Sequence, residues 1–351
     1  MAYTTINKST DHFNSKTYTG NGTTTNAQTG VGFQPDFLWL KRRNGSANHF
    51  AADVVRGTYS DGYKLIVPND TDSEQDYTYV KTLDSDGFTL GSTNANVNGN
   101  GDTYVGWAWK AGGAGSANTD GATASTVSVN NTAGFSIVKW TGTSGNTTVG
   151  HGMNTAPVFT LVKDLGNNGS NWVVYHKDIS PDYAVKLNTT NAQSNSNNYW
   201  QSTAPTNSLL TFTGNTASNG NGNNMIAYCF AEKSGYSKFG KYTGNGNADG
   251  TFIYTGFKPA FAIFKRISGG DNDWILMDNK RDPDNIMKQT LYPNTSGAEA
   301  AVDRCDFLSN GIKLRGTSVA FNADGSPYLY IAFAEEPLVA NVGQSIPATA
   351  K

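Results

Sequence analysis

One block of sequence occurs three times in this chain of 351 residues. GFQPDFLWLKRR at 32–43, NTAPVFTLVKDL at 154–165 and GFKPAFAIFKRI at 256–267 each run from a proline through apolar, β-forming residues to a lysine. The prolines stand at 35, 157 and 259 and the lysines are Lys41, Lys163 and Lys265, so both series are spaced by 122 and then 102 residues. Proline is accepted at the first residue of a strand, where no ladder hydrogen bond is lost, and such an apolar run suits a buried pleated surface. A block that returns at a fixed spacing has to be read as a repeated unit before anything else is assigned.

The same two shifts carry other positions with them. Tyr18-Thr19-Gly20 falls on Trp140-Thr141-Gly142 and on Tyr242-Thr243-Gly244. Phe50 falls on Trp172 and Trp274, Ala52 on Val174 and Leu276, Phe88 on Leu210 and Ile312, and Leu90 on Phe212 and Leu314. YVGWAW at 104–109 returns as MIAYCF at 225–230 and YLYIAF at 328–333, with one residue fewer before the middle copy. Each copy holds short runs of β-branched and aromatic residues between clusters of Gly, Asn, Asp and Ser, with no helical periodicity. That spacing predicts an all-β chain of three tandem antiparallel β-sandwich or jelly-roll repeats. The expected boundaries are an arm at 1–10, repeats at 11–113, 133–235 and 236–337, a Gly/Ala/Ser/Thr linker at 114–132 and a tail at 338–351. With a linker only before the second copy, the second and third are expected to pack closely and the first more loosely. Asp86-Gly87 and Asn310-Gly311 predict a hairpin in the first and third copies, and Ser208-Leu209 predicts a different turn in the second.

Charged residues are 15% of the chain, against roughly 25% in average soluble proteins, and the formal net charge is −2. No overall field draws the chain to nucleic acid or to an anionic membrane. MAYTTINKSTDHF has no basic and then apolar segment of the kind a signal peptide needs, and no run is long enough to span a bilayer. The two cysteines exclude a disulfide-dense scaffold. Cys229 stands where the other copies have Ala108 and Ala332, a place for a small hydrophobe.

No pattern of catalytic or metal chemistry stands out. His12, His49, His151 and His176 lack paired ligand spacing, and His176 falls on Val54 and Asp278. Asp84-Ser85-Asp86-Gly87 opens like a calcium loop, but Thr89 and Gly91 follow where ligands belong, so a hairpin turn is expected. The acidic stretch 278–285 contains Lys280 and Arg281 and reads as a loop held by its own ion pairs. The glycines at 244 and 246 lead into a strand, whereas a phosphate cradle needs a helix N-terminus. No catalytic residue, metal or cofactor is therefore expected.

The aromatic residues separate into two groups. Trp39, Trp107, Trp172 and Trp274 have bulky counterparts and are expected in cores. Tyr199 and Trp200, in a polar Asn/Ser loop, have none, and are the candidates for stacking on a carbohydrate or anchoring a partner. The three lysines read as charges guarding strand edges. The unmatched loops at 69–79, 188–205 and 293–302 should project from equivalent ends of the copies, where contacts would concentrate.

The series YTGNG, GFQPDFLWLKRR, DSDGFTLGS and YVGWAWKAGG, followed by IAYCFAEKSGYSKFGKYTGNGNADGTFIYTGFKP, resembles repeated-domain proteins encoded by marine tailed bacteriophages. The resemblance runs from about Ala2 to the tail. It implies a virion structural protein with lectin-like β-sandwich domains, a fibre, spike or other surface component made in the host cytoplasm. It implies other virion proteins as partners, assembly with copies of itself and contact with host-surface glycans, and it brings no catalytic residues. A capsid decoration protein, a free carbohydrate-binding module and a β-sandwich glycosidase or depolymerase are the competing readings. The last needs two carboxylates about 5–10 Å apart across a concave face.

Overall fold

The computed structural model describes residues 4–195 and 199–337, and the tail expected at 338–351 lies outside them. The chain is all-β, built from antiparallel sheets. In the N-terminal third, Phe13–Thr19, Thr103–Trp109, Phe37–Arg42 and Phe50–Asp53 lie side by side in that order. A smaller sheet of Asn26–Thr29, Gly87–Leu90 and Val80–Asp84 belongs to the same third. The strand order recurs in the middle third as Phe135–Thr141, Asn224–Phe230, Phe159–Asp164 and Val173–His176, and in the C-terminal third as Ser237–Thr243, Pro327–Glu336, Lys258–Arg266 and Ile275–Asp278. The smaller sheets there hold Thr147–Gly150 with Leu209–Phe212, and Phe252–Tyr254 with Gly311–Leu314, Ala300–Leu308 and Met287–Thr290.

The strand after each proline explains its unbroken apolar run. Side chains alternate across a strand, so a continuous run means that both faces are buried. Leu38 and Leu40 turn into the core of the N-terminal third with Phe88, Leu90 and Tyr104. Phe37 and Trp39 turn the other way, into a second core that also receives Phe159 and Leu161 and Phe261 and Ile263. At its heart Trp109, Phe230 and Phe333 form a triangle with ring centroids 5.8–6.2 Å apart. The first third is thus held as closely as the other two, against the looser packing expected of it.

Three boundaries differ from the sequence reading. The stretch 114–132 is not a free linker: Ser125–Asn130 pairs with Phe135–Thr141, Ser116–Asn118 pairs with Ser125–Asn130, and both widen the middle sheet. Val127 gives that strand its buried anchor. The arm contributes Ile6 to the shared core, and the Ser9 N–H meets the Glu336 carboxylate at 3.3 Å. The register of the fourth strand also moves by one residue. Leu40 pairs with Phe50, Val162 with Val173 and Phe264 with Ile275. Phe50 therefore corresponds to Val173, and it is His49 that corresponds to Trp172 and Trp274. Likewise Asp53, not Val54, corresponds to His176. The segment from Lys41 to His49 is one residue shorter than the segments from Lys163 to Trp172 and from Lys265 to Trp274, which a fixed shift could not register.

The hairpins at Asp86-Gly87 and Asn310-Gly311 form as expected. A Cβ on either glycine would run into a carbonyl oxygen of the neighbouring strand, Gln28 or Ile253. The middle third turns differently, and among the described residues its smaller sheet has two strands.

Candidate functional site

The polar chemistry of the molecule is concentrated where the thirds meet. Lys163 is buried and donates to the carbonyls of Ser170, at 2.5 Å, and of Thr71 in the preceding third, at 2.9 Å. Lys265 does the same with Asn272 at 2.6 Å and with Thr190 of the middle third at 2.7 Å. Lys41 donates to Arg42 at 2.9 Å and to Ser296 of the C-terminal third at 3.2 Å. The three thirds are therefore linked head to tail and the last is linked back to the first. Burial pulls each ammonium down from 10.5 to about 8. The lysines do not guard strand edges. Their repetition serves loop capture, because each carbonyl buried at a joint needs a donor.

Two residues before each captured carbonyl stands an asparagine that fixes the loop. Asn69, Asn188 and Asn294 accept from the backbone N–H of His49, Trp172 and Trp274 at 2.7–2.9 Å. The same three aromatic side chains reach into the preceding loop. Trp172 Nε1 donates to the Val67 carbonyl and Trp274 Nε1 to that of Lys186, both at 2.9 Å. His49 faces the Tyr292 carbonyl at 3.2 Å. Its Nδ1 accepts from Trp39 Nε1 at 2.9 Å, which leaves the proton on Nε2 to donate. Burial holds this imidazole neutral, well below its ordinary pKa. Main-chain bonds complete each joint: Glu74 to Leu165, Gln193 to Ile267 and Glu299 to Arg43. The loops expected to project toward outside partners are the parts that bind the neighbouring third.

Beneath two of these joints lies a buried ionic network. Arg56 pairs with Asp53 and with Glu74, and Tyr228 of the middle third donates to Asp53 at 2.6 Å. Arg281 pairs at 2.6 Å with both Asp278 and Glu299, and Trp107 of the N-terminal third donates to Asp278 at 2.9 Å. Arg43 adds an ion pair to Glu299 across that joint at 2.8 Å. The stretch 278–285 is thus held by ion pairs as expected, but its Asp278 and Arg281 are core groups. Asp53-x-x-Arg56 and Asp278-x-x-Arg281 share a spacing that would have revealed them in the sequence.

The joint between the middle and C-terminal thirds lacks this network. His176, Ile179 and Gln193 stand where the others have Asp, Arg and Glu, and Ile331 where they have Tyr228 and Trp107. His176 Nδ1 accepts from the Asp178 N–H at 3.1 Å, while its Nε2 turns toward the Tyr330 carbonyl without reaching hydrogen-bond geometry. Burial pushes its pKa down to about 4, so the ring is neutral. Beside it opens a cleft of about 330 Å³, with Asp178, Tyr183 and Gln193 on one wall and Lys241, Ile267 and Ser268 on the other. Gln193 lines the cleft, with its Oε1 closed off from solvent and without a hydrogen-bond donor.

Tyr199 and Trp200 lie elsewhere. Both are buried in the core of the middle third, where Trp200 packs on Tyr175 and Phe212 at ring distances of 5.9 and 5.8 Å. Among the described residues, the smaller sheet here has no third strand. Val80 and Leu83, or Cys305 and Phe307, cover the core in the other thirds, and here the loop supplies two rings instead. No face of Trp200 is open for stacking. Residues 196–198 of that loop lie outside the described residues. Cys229 and Cys305 are both free and buried. Asp86 receives the N–H groups of Gly30 and Gly32 and anchors a turn. Among the described residues no group of three or more His, Cys, Asp or Glu side chains is placed to hold a metal ion.

No curated protein and no solved structure matches the chain. The model of one family, Domain of unknown function (DUF7483), matches residues 8–337 and so takes in all three thirds at once. The chain belongs to that family.

Proposed function

We propose that this protein is a non-catalytic structural component of a bacteriophage particle surface, built from three copies of one lectin-like β-sandwich unit closed into a ring. The observation that carries the reading is the closure itself, the Lys41 bond to Ser296. The buried polar groups and the longest loops are spent on holding the molecule together. Such a body presents a rigid exterior and suits assembly more than turnover. The sequence resemblance to phage virion proteins supports the same reading, and a family model that spans all three copies supports the ring as its unit. In this reading the partners are other virion proteins and further copies of the chain, with host-surface glycans met at the periphery. A fibre or spike position is preferred over capsid decoration because of that last contact.

Mass spectrometry of purified particles, with immunogold labelling, tests the proposal. The expected result is the chain at fixed stoichiometry on the particle exterior. Recovery only from the soluble fraction of lysates would favour a free carbohydrate-binding module. Cleavage of host polysaccharide by the purified chain, abolished by one Asp or Glu substitution, would make it a depolymerase and overturn the proposal.

A further inference from the structure

The joint between the middle and C-terminal thirds breaks the pattern of the other two, and what replaces the pattern is an opening. Where Arg56 with Glu74, and Arg281 with Glu299, fill their joints with an ion pair, Ile179 and Gln193 leave the cleft described above. At about 330 Å³ it falls within the range of small-molecule sites, about 300–1,000 Å³. Ile179, Ile267 and Pro327 make an apolar side. The polar groups are mixed: a carboxylate to accept, and an ammonium and hydroxyls to donate. The two charges in the lining, Asp178 and Lys241, are of opposite sign, so no net field selects an ion.

We infer that this cleft binds a small uncharged polyhydroxyl ligand, of the size and chemistry of one or two sugar residues. Its hydroxyls bridge Asp178, Lys241 and Ser268, and a C–H face of the ring lies on Ile267 and Pro327. The inference deepens the surface reading above by naming where a glycan would be held. It does not depend on which part of the particle carries the chain.

The test uses the full chain and four probes, glucose, galactose, mannose and N-acetylglucosamine, with their common disaccharides, titrated by protein-observed NMR. At least one is expected to bind in the millimolar range and to shift resonances of Gln193, Ser268 and Lys241. Ser268→Trp, at the exposed rim, should weaken that binding at least tenfold with the melting temperature unchanged. The triple variant His176→Asp/Ile179→Arg/Gln193→Glu rebuilds the network of the other joints and should abolish binding. Shifts confined to other surfaces, no binding below about 100 mM, or full binding by Ser268→Trp would each overturn the inference. None of these would bear on whether the chain is found on particles, which the virion experiment decides separately.

Discussion

The side-chain amine of Lys41 donates to the backbone carbonyl of Ser296 across 255 residues of sequence. Its counterparts Lys163 and Lys265 span 92 and 75 residues to Thr71 and Thr190. One bond type thus sets both the linear joints and the closing one. A buried carbonyl that loses its donor costs about 1–3 kcal/mol. Lys163→Met keeps the apolar stem and removes the donor, and should destabilise the chain by about 2 kcal/mol in urea unfolding. Lys41→Met should cost a similar amount. An unchanged midpoint for both methionine variants would show that the lysines do not hold the joints.

The same lysines set a pH dependence. Their folded pKa is about 8 and their unfolded value 10.5, so between these limits the unfolded chain binds more protons. Stability then rises with pH across that window, and the gain is lost as pH falls through 8. A neutral amine still has two hydrogens for its two carbonyls, so the joints survive deprotonation. Burial raises Tyr18, Tyr228 and Tyr242 well above 10, which withdraws stability as the pH passes 10 and the unfolded tyrosines ionise. The melting temperature should therefore peak between about pH 9 and 10. A monotonic fall from pH 7 upward would contradict the assignment.

The ionic networks should behave as buried pairs do. Arg281→Met leaves Asp278 charged without its partner, and breaking such a pair costs about 3–5 kcal/mol. Arg56→Met should be comparable through Asp53. Lys177→Met, whose pair with Asp178 is partly exposed, should change stability by less than about 1 kcal/mol. Chemical denaturation of the three variants side by side separates the cases.

Trp200→Ala removes a buried ring from the core of the middle third and should cost about 3–5 kcal/mol. Differential scanning calorimetry reads this directly. A melting temperature equal to wild type, with loss of attachment or assembly, would return Trp200 to the role of an exposed anchor.

Much of the architecture was legible because both faces of the post-proline strands are buried, which writes an unbroken apolar run into the sequence at Phe37, Phe159 and Phe261. The glycine hairpins were legible for a local steric reason. The joints were not, because their meaning lies between the thirds: Lys41 answers a carbonyl in another third, and no local pattern marks a carbonyl. The one-residue difference after Lys41 hid the equivalence of His49 with Trp172. Trp200 misled because an unrepeated aromatic in a polar loop looks exposed. It turns inward where, among the described residues, the middle third has no third strand over its core, and such a lack leaves no residue to read. Ile179 and Gln193 look unremarkable alone, and become a site only beside Arg56 and Glu74.

The contact between Ser9 and Glu336 brings together positions 327 residues apart. The segment that leads into the first strand and the end of the last strand therefore lie side by side at one seam of the molecule. A circular permutant that joins residues near 9 and 336 through a short bridge, opened instead at an exposed turn, should refold with its joints unaltered.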